Sequence, residues 1–294
     1  MGAYIQTSAG PLHWRDYGGS GQVLVLVHGL GGSATNWDAV GPRLAGLGRT
    51  VALDLPGFGL SPPARDWELD THARAVRSFI SEFAPSATLI GNSMGGLLAE
   101  MVASLSPELV DSLILVAPAT PPRFPDPRIH WPTARRLFLQ ATPLVGRAMS
   151  RYFLSRLTPE ELVKLGLETI THKPGRVPLP VVEEFVRLAT VRVKLPWAEE
   201  AVPHTGRSIA RMFRRPSSFV EMIREIRAPS MVVQGLGDRI VSPTAVEWLC
   251  SLRPDWQLVQ MEDTGHTPQL DAPIRFLATI IPWLQASLKR EITA

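Results

Sequence analysis

Gly91-Asn92-Ser93-Met94-Gly95 follows the strand-like run Ala87-Thr88-Leu89-Ile90 and leads directly into Gly96-Leu97-Leu98-Ala99-Glu100-Met101, which reads as helix. A strand that becomes a helix without an intervening loop must pass through one residue in a strained backbone conformation. Side chains two positions either side of that residue would collide, and glycine at 91 and 95 removes the clash. The strain holds the Ser93 hydroxyl clear of the backbone. A helix starting at Met94 also aims free N–H groups and its positive dipole end at the same spot. The stretch predicts a serine presented for attack.

Around it, short Val/Ile/Leu runs alternate with helix-like segments, the pattern of an α/β protein with a mostly parallel central sheet flanked by helices. Five runs carry the sheet: 23–27, 50–53, 87–90, 113–116 and 230–233, with Leu258-Val259 a later strand. Apolar residues spaced by three and four predict helices over 70–84, 94–105, 243–252 and 273–289. A hairpin is expected around Ile5 and Leu12 to Tyr17.

Open sheets of this kind bind ligands beyond the carboxyl ends of their strands. The segments there are polar and glycine-rich: His28-Gly29-Leu30-Gly31-Gly32, Asp54-Leu55-Pro56-Gly57-Phe58-Gly59, the Ser93 turn, Gly235-Leu236-Gly237-Asp238, and Thr264-Gly265-His266. A serine, an aspartate and a histidine are thus expected on one edge.

The 294 residues, 45% hydrophobic and 19% charged, suffice for a sizeable core in one domain or a domain with an insert. Residues 119–215 hold 17 Lys and Arg against 8 Asp and Glu, net +9, whereas the remainder holds 13 against 19, net −6. Prolines 121, 122, 125 and 127 stand at the entrance of the basic stretch and Pro216 near its exit, where a chain leaves and rejoins a core. The division is therefore 1–118 with 216–294, and an insert over 119–215. The N-terminus has no basic stretch followed by an apolar one, and Gln6 stands where a myristoylation signal takes Ser or Thr. No window approaches the roughly 18 apolar residues of a membrane span. The single Cys250, in a helix-like apolar segment, reads as a buried structural thiol. The expected setting is a mature chain starting near Met1 in the cytoplasm.

Gly91-Asn92-Ser93-Met94-Gly95 resembles the nucleophile elbow, G-x-S-x-G, of the α/β-hydrolase fold superfamily. The H-G-x-G-G, D-x-P-G-x-G, G-x-x-D and late G-H segments extend the resemblance over nearly all of the chain outside the insert. The superfamily's catalytic residues run nucleophile, acid, histidine along the chain, and Ser93, Asp238 and His266 stand in that order. The resemblance implies that Ser93 attacks, His266 takes its proton, and Asp238 fixes the imidazole tautomer. It assigns the oxyanion-hole N–H groups to Leu30 and Met94. Taken singly, Asp238 could instead cap the helix ahead of Pro243 and His266 could be a capping or core histidine. Asp263 is a weaker candidate acid, since three residues is too short to bring it across the imidazole. His28 reads as a buttress of its loop and Asp54 as a residue fixing its own turn.

The resemblance also makes the insert a helical cap over the catalytic edge. Trp131, Phe138, Tyr152, Phe153 and Trp197 then either wall an apolar pocket or form the cap's own core. Over Leu144 to Leu157, helical projection puts Val145, Ala148, Met149, Tyr152 and Phe153 on one arc with Arg147 and Arg151 opposite. Arg156 falls inside the apolar arc. It either enters the pocket or marks the helix end, and Thr158-Pro159 favours the end. The net charge suits anionic substrates, an anionic membrane surface, or simply a solvated face; no nucleic-acid motif accompanies it.

A serine at the elbow excludes the aspartate-based dehalogenases and epoxide hydrolases of this fold. Esterases and lipases remain, together with the meta-cleavage-product hydrolases, which cut a carbon–carbon bond. The latter place Trp after the catalytic histidine, where this chain has Thr267, and an Arg in the cap, to which Arg187 roughly corresponds. Glu183 lies one turn before Arg187, so an exposed ion pair is expected instead. The reading is a serine hydrolase acting through an acyl-enzyme on a small-molecule ester with a fairly apolar group, with water as second substrate. Carbon–carbon hydrolysis comes second, and a ligand receptor with little turnover third. No metal or organic cofactor is implied, because neither H-E-x-x-H nor a cysteine cluster occurs.

Overall fold

The computed structural model describes residues 2–292, with side chains through 288, so Met1 lies outside the described residues. In chain order the elements are β1 (Gly2–Thr7), β2 (Gly10–Gly18), β3 (Val23–Val27), α1 (Gly41–Leu44), β4 (Arg49–Leu53), α2 (Leu69–Ser81), β5 (Ala87–Asn92), α3 (Met94–Leu105) and β6 (Val110–Val116). Five helices follow: α4 (Trp131–Gln140), α5 (Pro143–Arg156), α6 (Pro159–Ile170), α7 (Leu179–Arg192) and α8 (Ala201–Phe213). The chain then returns through α9 (Pro216–Glu225), β7 (Ser230–Gly235), α10 (Pro243–Ser251), β8 (Gln257–Met261), α11 (Pro268–Asp271) and α12 (Pro273–Ile292).

The strands form one sheet in the order β1-β2-β4-β3-β5-β6-β7-β8. The expected hairpin, β1 with β2, pairs antiparallel, as does β2 with β4, and all other neighbours are parallel. Every residue of β3 is buried. A continuous run of Val and Leu has no polar face to give to solvent, so it is stable only with helices on both sides. On one side lie Phe79, Ile80, Leu97 and Leu98 from α2 and α3. On the other are Trp37, Leu44, Phe276, Ile280 and Leu284. Each such side chain contributes about 1.5–3 kcal/mol by leaving water.

The strand order turns round at β3: the chain goes to β4 on one side of it, then crosses back to β5 on the other. That reversal leaves a crevice between the loops following β3 and β5, where an open α/β sheet takes its ligand. The register levels the carboxyl ends. Val27 pairs with Gly91, Asn92 with Val116, Val116 with Val233 and Gly235 with Met261. The segments starting at His28, Ser93, Ala117, Leu236 and Glu262 therefore emerge at one height.

Helices α4 to α8 fill the stretch between β6 and α9. They hold to the core at several places, two of which are networks of hydrogen bonds. On α8, Thr205 reaches His72 (3.3 Å), Ser208 bonds Glu68 and the Leu69 amide, and Arg211 pairs with Glu68. The second place is the segment after α6, which lies against the loop carrying His266. Among the described residues no helix is long and apolar enough to cross a membrane.

Candidate active site

At Ser93 the backbone has φ 55° and ψ −118°, between the end of β5 and the start of α3. Local crowding dictates the flanking glycines. A Cβ on Gly91 would lie 2.3 Å from the Gly95 carbonyl oxygen, and one on Gly95 would lie 2.2 Å from that of Val27. The turn is pinned by its own backbone: Ser93 N–H donates to Val116 O (2.9 Å), and Ser93 O accepts from Leu97 (3.1 Å) and Ala119 (3.0 Å). The conformation is imposed by surrounding structure, as a strained residue requires.

The loop after β3 presses against this turn, since a Cβ on Gly29 would lie 3.0 Å from the Ser93 Cβ. Among the described residues, the N–H groups of Leu30 and Met94 have no acceptor within the protein. His28 holds the loop from behind, with Nδ1 2.8 Å from Gly29 O and Nε2 accepting from the Leu55 amide at 3.0 Å. Burial lowers its pKa to about 4, so the ring is neutral at pH 7 and Nδ1 carries the proton. Asp54 does more than fix its own turn. Its carboxylate accepts from Leu60 N–H (2.8 Å), from Ala34 N–H of the neighbouring loop (2.6 Å), and contacts His13 Nδ1 (2.7 Å). Burial alone would raise its pKa, but these bonds and nearby His28 outweigh it and hold the carboxyl below its usual range.

Asp238 and His266, 28 residues apart in sequence, meet through Oδ2 and Nδ1 at 2.8 Å, and both are buried. The remaining capacity of Asp238 is filled by the amides of Ile240 (2.7 Å) and Val241 (3.0 Å) and by Gln234 Nε2 (3.2 Å). It faces the imidazole and does not cap α10, whose cap is Ser242. Asn92 Nδ2 donates to the carbonyls of both Val116 and His266, each at 3.0 Å, which holds the histidine backbone beside the elbow. Ser93 Oγ itself makes no hydrogen bond among the described residues. Such contacts commonly tighten only when substrate is bound. Asp263, the weaker acid candidate, faces elsewhere: Lys173 (2.6 Å) and Arg176 bind it and hold its pKa near 2.

Four residues that the sequence did not single out support the site. Asp271 accepts from Gly265 N–H (2.6 Å), next to His266, and from the His172 (2.7 Å) and Lys173 (3.1 Å) amides after α6. One buried carboxylate thus ties the insert to the histidine loop. Asn92 and His13 act as described above. The fourth is Arg192, the last residue of α7, whose Nη1 donates to Gly31 O at 3.0 Å beside Leu30. It pairs with no carboxylate among the described residues, and burial, opposed only by Asp54, lowers its pKa. Its place at the end of a helix with three basic or acidic neighbours gave no signal in sequence.

The expected pocket residues depart from expectation. Trp131, Phe138 and Tyr152 are exposed and outside the core, because α4 and α5 turn these faces outward, where Tyr152 lines an open apolar groove with Leu144 and Met149. Arg156 ends α5 and is exposed, as Thr158-Pro159 indicated. Arg187 is 74% exposed and pairs with Glu184, three residues before it on the same helix, not with Glu183. Trp197 is partly enclosed, with its indole nitrogen buried. Cys250 is only partly buried, yet burial pushes its pKa up to about 12.

The fold and the loop geometry agree with the family model for the alpha/beta hydrolase family, which matches residues 24–280. The chain belongs to that family. It is 43% identical over 267 residues to the dihydrolipoyllysine-residue acetyltransferase component of the acetoin cleaving system of Pseudomonas putida, covering 89% of this chain and 63% of that one. It is 25% identical to Lipase 3 of a Moraxella species over 86% of this chain and 74% of the lipase. It is 26% identical to the 2-hydroxy-6-oxo-6-(2'-aminophenyl)hexa-2,4-dienoic acid hydrolase of Metapseudomonas resinovorans, over 94% and 87%.

Proposed function

We propose that the chain is a serine hydrolase that cleaves a carboxylic ester of a fairly apolar small molecule, with Ser93, His266 and Asp238 as nucleophile, base and orienting acid. The buried 2.8 Å contact between Asp238 and His266, held beside the elbow by Asn92, carries this reading. With Nδ1 engaged by the carboxylate, Nε2 is the imidazole position left to accept the Ser93 proton. Ser93 Oγ bonds to the carbonyl carbon as that proton passes to His266. The oxyanion collects at the Leu30 and Met94 N–H groups, each worth about 2.7–4 kcal/mol to the transition state. Collapse breaks the ester bond, His266 returns the proton to the leaving alcohol, and water repeats the cycle on the acyl-serine.

In the same reading residues 119–215 are a cap that governs substrate access over a core of 1–118 and 216–294. The setting is cytoplasmic, in keeping with a single cysteine. The test is a panel of p-nitrophenyl esters given to the protein and to Ser93→Ala. Hydrolysis should fall by at least about a thousandfold in the variant; equal rates would remove the mechanism, and no turnover by either would favour a receptor.

Arg192 favours a second reading. A guanidinium enclosed near the oxyanion loop without a carboxylate partner suits a substrate carboxylate, as in carbon–carbon hydrolysis of a meta-cleavage product. Thr267 opposes it: its hydroxyl is buried and bonds Ile170 O (3.1 Å). Arg192→Met should then lose about 1.5–3 kcal/mol of transition-state binding for carboxylate-bearing substrates and little for neutral esters.

A further inference from the structure

Helix α5 is packed inside out. Its one buried residue is Gly146, where an added Cβ would lie 2.0 Å from the Gln140 carbonyl oxygen and 3.0 Å from Pro203 of α8. Close approach through that glycine fixes which side meets the protein. The arc of Leu144, Val145, Ala148, Met149 and Tyr152 is left facing outward, with Leu144 85% exposed. An amphipathic helix of a globular protein ordinarily turns such an arc to the core. Helix α4, which packs on α5, adds Trp131 and Phe138 on its own outer face, in line with Arg135.

The charges around this face have two different settings. Arg147 and Arg151 are matched by Glu199 and Glu200. Arg135 and Arg156 are exposed and pair with no carboxylate among the described residues. The face therefore combines aliphatic side chains, a Trp and a Tyr whose amphipathic rings suit a membrane boundary, and unmatched cations at the edge. A second copy of this chain is a poor occupant. A two-fold contact through this face would set one net +9 region against another.

We propose that the outward apolar face of α5, with Trp131 and Phe138 of α4, docks on an anionic lipid surface, the helix lying in the plane of the interface and Arg135 and Arg156 meeting lipid headgroups. The energetic logic is that of a peripheral amphipathic helix: apolar burial supplies adhesion, and the cations select the anionic leaflet. The contact is independent of the reaction assigned to Ser93.

The experiment is co-sedimentation of the full chain with sucrose-loaded vesicles of phosphatidylglycerol and phosphatidylcholine, or of phosphatidylcholine alone, at low and high salt. The wild type should bind the anionic vesicles, less at high salt, and bind the neutral ones at least about tenfold more weakly. The Leu144→Ser/Val145→Ser variant should lose binding while hydrolysing soluble esters at the wild-type rate, which shows that it is folded. Arg135→Ala should weaken binding by about fivefold and flatten the salt dependence. Equal binding to both vesicle types, undiminished binding by the double-serine variant, or no binding at all overturns the proposal. So does a concentration-dependent dimer in light scattering that the double-serine variant abolishes, because the face would then belong to a second copy.

Discussion

Helices α3 and α5 are of similar length, 12 and 14 residues, and both are rich in apolar side chains, yet ten residues of α3 are buried and only Gly146 of α5. The difference follows from what each is attached to. Helix α3 starts at a strained serine that must be held in one place, so it lies between sheet and helices with its apolar residues from Met94 to Ala103 buried. Helix α5 is fixed through one glycine and the chain beside it, which leaves its apolar arc free for another surface. The core spends its apolar residues on rigidity; the insert keeps some of them for contact.

The largest effect expected on the core side is on Asp238. Asp238→Asn keeps the shape of the site but favours the wrong imidazole tautomer, and kcat should fall by about 10⁴ with the fold intact. A fall of less than tenfold in steady-state kinetics would show that the buried contact with His266 is structural. Next comes packing: Phe79→Ala, fully buried, should cost about 3–5 kcal/mol in chemical denaturation.

Protonation should also separate the two regions. His28 and His72 are buried in the core with pKa values lowered by burial to about 4, against an ordinary 6.5. Above pH 6.5 both the folded and the unfolded chain leave them neutral, and their contribution is fully present. Between pH 6.5 and 4 the unfolded chain binds protons that the folded one refuses, so stability declines as pH drops, by up to roughly 3 kcal/mol per residue. Denaturation midpoints measured from pH 7.5 to 4 should show this decline. His28→Gln/His72→Gln should flatten it, and an unchanged slope would place the acid sensitivity elsewhere.

The two regions meet at Asp271, so Asp271→Asn should affect both. Loss of one acceptor oxygen among the three amides it serves should cost about 1–3 kcal/mol and speed hydrogen exchange at Gly265 and His172 together. Faster exchange at only one would mean that the insert and the histidine loop are seated separately. The smallest effect belongs to the insert surface. Phe138, 70% exposed, should tolerate Phe138→Ser within about 0.5 kcal/mol.

What could be read from sequence divides along the same line. Parallel strands buried on both faces leave continuous Val/Ile/Leu runs, so β3 to β8 were legible, and the positions following them picked out Ser93, Asp238 and His266. The glycines at 91 and 95 were legible because backbone crowding admits no side chain there. In the insert, periodicity gave the arc on α5 but not its direction, which depends on the approach of Gly146 to Gln140 and Pro203. Hence Trp131, Phe138 and Tyr152 were expected inside. Arg187 and Arg192 are both near the end of α7, and only the path of the chain past Gly31 shows which one turns inward. Asp271 and Asn92 act through backbone groups distant in sequence, which leave no spacing to read.

The central claim is that the residue bent out of β5 becomes covalently acylated. Mixing the protein with p-nitrophenyl butyrate, quenching in acid within the first turnover and mapping the peptides by mass spectrometry tests it directly. The account predicts a butyryl group on the peptide containing Ser93, absent from Ser93→Ala. Ester turnover with that peptide unmodified at every quench time, or an adduct on another residue that survives in Ser93→Ala, would contradict it.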